Sequence, residues 1–397
     1  SLHVAMADEA VCIGPANSSE SYLNQTRIIS TALLYKAQAI HPGYGFLAEN
    51  QDFASLCEKN NIVFIGPSSK VIAKMGDKDA ARKLMKDHNV PIIPGTDILK
   101  DEKEAKEKAK EIGYPVMLKA SAGGGGKGIR LVKSEDDIEN AYTTASNEAL
   151  NAFGDGRMYM EKYLFPAKHI EVQLLCDEKG GVVCLGEREC SVQKNNQKLI
   201  EESPSPYVSD ETRQKLITAA TNAAKAANYV NAGTIEFLMD KEQNFYFMEM
   251  NTRLQVEHPV SELVSGHDIV KWQIRIAAGV SLEFKQEDLK ITGSAIECRI
   301  NATAVGSVNF LHVPSGPWVR FDSCLYQGYT IPPYYDSMLG KMIVYSSSRE
   351  EAIRKMQSAL CELVIEGAPN NKDLQIKILR DKDFKSGNYY TDFMNKF

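Results

Sequence analysis

Four consecutive glycines stand between two apolar segments, and this arrangement limits how the chain can fold. The glycines occupy positions 123–126, after a predicted strand at 115–119 and before a predicted strand at 128–132. Such a run costs backbone entropy on folding, so it indicates a function that needs glycines. One such function is a loop whose unobstructed backbone N–H groups close over phosphates. We therefore predict a hairpin loop over a nucleotide, with Lys119 of the preceding strand as a phosphate ligand. The alternative is a turn that is only flexible.

This loop fits neither of two common nucleotide motifs. Gly123, Gly125 and Gly128 match the spacing GxGxxG, but a dinucleotide fingerprint opens a helix and a strand is predicted here. A Walker A loop has Ser or Thr after its lysine, whereas Lys127 is followed by Gly128. The pattern favours a lid laid over the phosphates.

A second motif combines two predicted strands, 233–240 and 245–251, with a four-residue loop between them. If Asp240 pairs with Phe245, Glu236 stands directly opposite Glu249, and like charges so placed destabilise a sheet unless something neutralises them. Asn251 shares the face of Glu249. Two carboxylates and an amide oxygen suit Mg²⁺ held together with phosphates. The alternative is that both glutamates face solvent.

Charged residues continue beyond this hairpin. Arg253 and Glu257 are close enough in sequence to bind an oxyanion and take its proton, although a surface salt bridge explains the pair equally well. His258 is interpreted as structural, and the glycine-rich turn 41–46 as either a tight loop or a substrate contact. Arg299 lies in the apolar segment 295–300, where an unpaired charge is costly, so we expect it to face a cleft or a carboxylate.

Composition excludes several classes of protein. The chain has 397 residues, 43% of them hydrophobic and 25% charged, which is typical of globular proteins with two or three domains. The net charge of -6 argues against nucleic acid as a partner, and no apolar run approaches the roughly 18 residues of a membrane span. The eight cysteines are dispersed without a CxxC pair, which predicts reduced, buried thiols and a cytoplasmic location.

The order of predicted elements indicates mixed α/β and α+β architecture. Residues 1–67 alternate short strands with helices, which predicts a parallel sheet, and residues 68–92 form a linker. Residues 93–164 form a small lid unit with a hinge at 154–156, and residues 165–397 combine antiparallel strands with long helices.

Six segments make the chain similar to biotin carboxylases, a family of ATP-grasp enzymes, and most of all to the free subunit of bacterial acetyl-CoA carboxylase. They are HPGYGFLAEN (41–50), MGDK (75–78), KASAGGGGKG (119–128), MEKYL (160–164), EMNTRLQVEHPV (249–260) and IPPYYDSMLGK (331–341). The resemblance implies an ATP-grasp fold with an N-terminal parallel α/β domain, a mobile glycine-rich lid and a C-terminal mixed α+β domain. The family's opening strand and helix are missing here, so we expect the N-terminal domain to be incomplete.

The resemblance also implies roles for individual residues, position by position. The residues expected to bind ATP are Lys78, Lys119, Gly124, Gly125, Gly126, Glu161, Lys162, Leu164, His169, Gln193 and Asn196. Those expected to bind Mg²⁺ are Glu236, Glu249 and Asn251. Those expected to bind bicarbonate are Lys198, Arg253, Gln255, Val256 and Glu257. Those expected near biotin are Tyr44 and Arg299, and the catalytic set is Glu257, Arg253, Lys198 and Arg299, with Glu257 as the general base.

The implied activity is ATP- and bicarbonate-dependent carboxylation of biotin on a carrier protein through carboxyphosphate, with two Mg²⁺ or Mn²⁺ ions. This is the first half-reaction of acetyl-CoA carboxylase in fatty acid synthesis. The implied partners are the biotin carboxyl carrier protein, carboxyltransferase subunits and a second copy of the chain in a homodimer. The alternatives are the corresponding domain of a pyruvate or propionyl-CoA carboxylase, an ATP-grasp ligase for another carboxylate, and a truncated inactive ATP-binding module.

Overall fold

The N-terminal region of the computed structural model is a small parallel α/β unit. The structure describes residues 2–122, 128–195 and 197–397. The elements of this region are α1 (Leu2–Met6), α2 (Gln25–Leu34), β1 (Ala39–Ile40), α3 (Gln51–Lys59), β2 (Val63–Phe64), α4 (Ser69–Gly76) and α5 (Lys78–Asp87). The strands β1 and β2 pair in parallel, which confirms the predicted strand–helix–strand arrangement. Phe53 and Cys57 of α3 pack with Phe64 and Ile29 in the core of this unit.

A second unit follows, built on a three-stranded antiparallel sheet of order β4-β3-β5. Its elements are α6 (Glu102–Ile112), β3 (Val116–Ala120), β4 (Ile129–Val132), α7 (Ile138–Phe153) and β5 (Met158–Lys162). Val116, Leu118 and Met160 of the sheet are buried against Ile138 and Ala145 of α7. The predicted loop at 123–127 lies outside the described residues, but the strands on either side of it pair as a hairpin, with Lys119 opposite Ile129.

The remainder of the chain is organised by one long antiparallel sheet. Its elements begin with β6 (Lys168–Cys176), β7 (Val182–Lys194), β8 (Gln197–Ser203), α8 (Asp210–Ala227), β9 (Asn231–Met239), β10 (Phe245–Asn251), α9 (His258–Ser265), α10 (Ile269–Ala277) and β11 (Ser294–Asn301). They end with β12 (Phe310–His312), β13 (Val319–Ser323), β14 (Met338–Ser346), α11 (Arg349–Glu362), β15 (Val364–Glu366), α12 (Lys372–Arg380) and α13 (Lys382–Ser386). The eight strands run in the order β10-β9-β6-β7-β8-β11-β14-β13.

The two faces of this sheet differ in chemistry, and that difference positions the site. Along β6, Ile170 and Val172 pack into an apolar core that includes the alanine-rich face of α8. Successive side chains on a strand point to opposite faces, so His169, Glu171 and Gln173 project together on the other side. All three are nonetheless buried, which requires partners for them from neighbouring strands.

Two further sequence expectations concern the whole chain. No helix in the described residues is long and apolar enough to cross a membrane. The eight cysteines are all free, as predicted, although Cys12 and Cys361 are exposed rather than buried.

Candidate active site

A cavity of about 910 Å³ opens where three parts of the chain meet: the lid unit, the polar face of the long sheet, and the C-terminal segment around residues 391–395. The predicted site residues that line it are Tyr44, Lys78, Lys119, Leu164, His169, Gln193, Lys198, Glu236, Glu249, Asn251, Arg253, Gln255, Val256, Glu257 and Arg299. Gly124, Gly125, Gly126 and Asn196 lie outside the described residues. The fold therefore gathers into one cavity residues that are more than 250 positions apart in the chain.

Glu161 and Lys162, two residues of β5 that were predicted to bind ATP, have different surroundings. Glu161 Oε2 accepts a hydrogen bond from Lys119 Nζ at 2.5 Å, which links the edge strand β5 to the central strand β3 of the lid sheet. The Lys162 ammonium points to the opposite face, where it donates to the backbone oxygens of Gly113 at 2.7 Å and Tyr114 at 3.2 Å. The lid sheet thus directs Lys119 into the cavity and the Lys162 ammonium away from it.

Lys198 lies on β8 at the centre of a carboxylate cluster. Its ammonium donates to Glu171 Oε2 at 2.5 Å, Glu236 Oε1 at 2.9 Å and Glu257 Oε1 at 2.6 Å. Burial alone would lower the pKa of this ammonium, but the three carboxylates outweigh burial and raise the pKa well above its ordinary value. Lys198 therefore stays charged and holds three negative groups close together.

Glu257, immediately before α9, receives positive charge from two sides. Its second oxygen accepts a hydrogen bond from Arg299 Nη2 at 2.8 Å, and Arg299 Nε also donates to Glu201 at 2.6 Å. The expectation that Arg299 pairs with a carboxylate is confirmed. Burial opposes ionisation of Glu257, yet Lys198, Arg299 and Arg188 hold its pKa well below the usual range. Glu257 is ionised at neutral pH, as a proton acceptor must be.

The hairpin of β9 and β10 brings Glu236 opposite Glu249, but not by the predicted register. Phe245 pairs with Met239 and not with Asp240, because the Asp240 side chain closes the loop by accepting backbone N–H groups of residues 242 and 244. A β-bulge just before Glu249 then shifts the pairing by one residue. The assumed first pair was wrong, and the bulge restores the predicted opposition.

The two opposed glutamates have different partners. Besides Lys198, Glu236 accepts hydrogen bonds from Asn251 Nδ2 and Gln255 Nε2, both at 2.8 Å, and His169 Nε2 lies 3.1 Å from its other oxygen. Burial, followed by repulsion from Glu236, raises the pKa of Glu249. A pair of carboxylates, one buried and one half-buried, with repulsion between them fits a hard divalent cation.

Two details differ from the predicted metal site. Asn251 directs its amide nitrogen to Glu236 and its oxygen to Arg253 Nη2, at 3.1 Å, so a protein cation already faces that oxygen. One group of side chains with ligand atoms within 4.8 Å of one another consists of His169, Glu171 and Glu236. Glu236 therefore belongs both to the predicted metal pair and to a cluster with a histidine that we had predicted to contact ATP.

Three family models match the chain in succession. They are the biotin carboxylase N-terminal domain over residues 1–72, the ATP-binding domain of the carbamoyl-phosphate synthase L chain over 77–285, and the biotin carboxylase C-terminal domain over 297–396. The chain is 51% identical to biotin carboxylase 1 of Bacillus subtilis over 406 residues, which covers 100% of this chain and 90% of that protein. It is 49% identical to the biotin carboxylase of Haemophilus influenzae, with 99% and 90% covered.

The chain belongs to the biotin carboxylase family. It is therefore an ATP-dependent ligase with the predicted ATP-grasp fold. Its structure resembles that of the Campylobacter jejuni biotin carboxylase, described as a β,γ-ATP complex, with a TM-score of 0.97, 50% identity, and coverage of 100% of this chain and 91% of that one. The biotin carboxylase domain of Hydrogenobacter thermophilus 2-oxoglutarate carboxylase gives a TM-score of 0.94 at 49% identity, with 99% and 89% covered.

In this biotin carboxylase fold, the turn between β1 and α3 holds Tyr44 at the predicted biotin end of the cavity. Gly43 has φ of +63°, a left-handed conformation that favours glycine, and this turn directs Tyr44 toward β14. The Lys341 ammonium lies 5.8 Å from the Tyr44 ring centre and also donates to the backbone oxygen of Val256. Lys341 thus connects the predicted biotin end with the predicted bicarbonate loop.

Sequence reasoning missed several carboxylates of this site. Glu49 accepts hydrogen bonds from Arg253 Nε at 2.7 Å and from the backbone N–H of Thr252 at 3.0 Å, which joins the N-terminal unit to the predicted bicarbonate loop at 253–257. Glu171 and Glu201 contact Lys198 and Arg299, respectively. The alternation of polar and apolar residues along β6 was a signal for Glu171.

Proposed function

We propose that this chain carboxylates biotin on a carrier protein, with bicarbonate as the carbon source and ATP as the activating substrate. The observation that carries the proposal is the shared cavity in which Lys198 and Arg299 flank Glu257, a few ångströms from the opposed pair Glu236 and Glu249. An oxyanion site beside a cation–phosphate site is what activation of bicarbonate by ATP requires.

The proposed nucleotide site lies between the lid and the long sheet. Lys119 and Lys78 supply positive charge for phosphates, Glu161 holds the Lys119 ammonium, and Leu164 with the neighbouring lining residues surrounds the rest of the nucleotide. His169 and Gln193 are joined by a hydrogen bond of 2.8 Å on the floor of the cavity. The descriptions of the related structures support this assignment, since one is a β,γ-ATP complex and another contains MgADP and bicarbonate.

Glu236 and Glu249, with Asn251 beside them, would hold Mg²⁺ or Mn²⁺ together with the phosphates. Bound there, the cations would neutralise charge on the phosphoryl group during transfer. The raised pKa of Glu249 supports this assignment, because a nearby cation relieves the repulsion between the two carboxylates.

In the proposed mechanism Lys198, Arg253, Gln255 and the backbone N–H of Val256 bind bicarbonate, and Glu257 takes its proton. The deprotonated oxygen attacks the γ-phosphorus of ATP, which releases ADP and gives carboxyphosphate. Carboxyphosphate breaks down to CO₂ and phosphate, the phosphate takes the N1′ proton of biotin, and the biotin nitrogen forms the new bond to CO₂. A closed lid excludes water from these intermediates.

Arg299 and Tyr44 are proposed to contact biotin. Arg299 has N–H groups that can donate to the oxygen of the biotin enolate, the anion formed when biotin loses its N1′ proton. Its two carboxylate partners, Glu201 and Glu257, fix the guanidinium at the cavity wall. Tyr44 would border the biotin ring from the side of Lys341.

The biological setting proposed for this activity is the first half-reaction of acetyl-CoA carboxylase in the cytoplasm, with a biotin carboxyl carrier protein, carboxyltransferase subunits and a homodimeric arrangement. The Bacillus and Haemophilus relatives support this choice. A second candidate is supported by the 2-oxoglutarate carboxylase small subunit of Hydrogenobacter thermophilus, which is 50% identical. The two candidates differ in the acceptor of the carboxyl group, which the second half-reaction selects.

The test is ADP release by the chain with MgATP, measured with and without bicarbonate and with and without free biotin. We expect release that depends on bicarbonate and is stimulated by biotin. ATP binding without bicarbonate-dependent release would contradict the proposal and favour an inactive nucleotide-binding module. Purified carrier domain in place of free biotin then tests the proposed macromolecular substrate.

A further inference from the structure

We infer that Arg188 is a positioning residue for bicarbonate, an inference that rests on the proposed function. Arg188 lies on β7 beneath the cavity, and its side chain is 0% exposed. It is outside the set of residues that line the cavity. Its effect on the reaction must therefore pass through the side chains that it holds.

All the N–H groups of the Arg188 guanidinium donate hydrogen bonds. Each of its five N–H groups has an acceptor: Glu171 Oε1 at 2.5 Å, Gln173 Oε1 at 2.6 Å, Ser261 Oγ at 2.9 Å, Thr234 Oγ1 at 3.1 Å and Gln255 Oε1 at 2.6 Å. These acceptors come from β6, β9, α9 and the bicarbonate loop. The planar geometry of the guanidinium fixes all of them relative to one another, which a lysine ammonium with three donors cannot do.

The first consequence concerns the amide of Gln255. Since Arg188 donates to Oε1, the oxygen must face the floor of the cavity and the amide nitrogen must face the other way. That nitrogen donates to Glu236 at 2.8 Å. Arg188 thus selects the orientation in which Gln255 offers N–H groups to the oxyanion site.

The second consequence concerns Lys198. Glu171 binds Arg188 through one oxygen and Lys198 through the other, each at 2.5 Å. Arg188 supplies the counter-charge for Glu171, so that the positive charge of Lys198 is shared with Glu257 and an incoming anion. Without Arg188, Glu171 would compete for the Lys198 ammonium with its full charge.

A purely structural buried ion pair would stabilise the chain without favouring one substrate. The same strand offers a matched example on its opposite face, where Arg213 Nε donates to both oxygens of buried Glu187 at 3.0 Å. Arg213 contacts no residue of the proposed bicarbonate site. Arg188→Lys and Arg213→Lys therefore make the same chemical change in an arginine that is 0% exposed and in one that is 21% exposed, and only the first adjoins Gln255 and Glu171.

The experiment measures kcat and KM for ATP and for bicarbonate in ADP release, together with the thermal midpoint, for the original chain and both variants. We expect Arg188→Lys to raise the KM for bicarbonate by about 10–100-fold, the size of effect seen when groups that orient metal ligands are removed, with a much smaller change in the KM for ATP. Arg213→Lys should lower the thermal midpoint but leave the ratio of the two KM values unchanged. Equal changes in both KM values for Arg188→Lys, or none, would overturn the inference.

If Arg188→Lys does not fold, the double variant Thr234→Val/Ser261→Ala can be used instead. It keeps the Arg188 charge and removes two of the acceptors that orient the guanidinium. A selective rise in the KM for bicarbonate would support the inference, and an unchanged value in a folded double variant would overturn it. A chain that is inactive before any substitution would instead overturn the proposed function, and this inference with it.

Discussion

Lys168, the first residue of β6, ties the C-terminal segment to the long sheet, and removing its charge tests how that segment supports the cavity. The side chain is completely buried and donates to the backbone oxygens of Tyr389 at 2.5 Å and Gly387 at 3.2 Å. Glu189 lies 3.3 Å from the ammonium. A few residues further on, Met394 lines the cavity, so an anchor at Lys168 bears on the proposed nucleotide site.

The expected cost follows from what Lys168→Met leaves behind. Breaking a buried ion pair by removing one partner costs about 3–5 kcal/mol, because the other charge stays buried. Glu189 keeps hydrogen bonds from Ser191 Oγ at 2.5 Å and Ser205 Oγ at 3.1 Å, so we expect the lower end of that range, about 3 kcal/mol. Lys168→Met/Glu189→Gln removes the remaining charge as well and should be more stable than the single variant, but it still lacks the hydrogen bonds to Gly387 and Tyr389, which are worth about 1 kcal/mol each.

The assay is urea denaturation of the original chain, the single variant and the double variant, with the KM for ATP measured in parallel. We expect the stability order original, double, single, and a higher KM for ATP in the single variant, since the segment that carries Met394 loses its anchor. A single variant as stable as the original chain would refute the reasoning. So would a double variant less stable than the single one, because Glu189 would then not be the source of the cost.

Three further predictions concern the site. Lys198→Ala should reduce bicarbonate-dependent ADP release by at least about 100-fold while circular dichroism shows an intact fold, and near-normal turnover would exclude the proposed role. Glu49→Gln should raise the KM for bicarbonate about tenfold through Arg253 with little change in the KM for ATP, and equal changes would contradict it. Burial raises the pKa of Glu201 to about 7, from a usual value of 4.5, against the opposing charge of Arg299. Its contribution to stability is thus present below pH 4.5 and lost as the pH rises through 7, so the free energy of unfolding should fall by up to about 3 kcal/mol relative to Glu201→Gln across that window, and parallel profiles would contradict this.

The sequence predicted local elements well because their signals are local. The strand–helix–strand start and the pairing of β3 with β4 follow from short apolar runs and glycine turns, and the structure has both. Helix α7 ends at Phe153 and is capped by Gly154, whose φ of +75° is the left-handed conformation that a glycine favours at a helix end. The domain boundaries and the roles of the site residues remain predictions.

What the sequence could not provide is the set of partners that cross the sheet. Glu201 and Arg299 are 98 positions apart, and only the pairing of β8 with β11 brings them together. The bulge in β10 could not be predicted from the sequence either, because its position depends on both the geometry of the loop and the packing on the two faces of the strand. Charges in apolar strands predicted that buried ion pairs exist, but not which residues form them.

Under the proposed function, the buried ion pairs also give a way for Glu257 to act as a base although its pKa is held low. Its two hydrogen-bonded cations, Lys198 and Arg299, are the groups that bicarbonate and biotin would engage under the proposed function. A substrate oxygen that takes over a donor from either cation weakens the stabilisation of the Glu257 carboxylate and raises its proton affinity. Glu257 would then be a weak base before the substrates bind and a stronger one when both are present. This dependence would couple proton removal from bicarbonate to the presence of biotin, and so limit ATP hydrolysis without an acceptor.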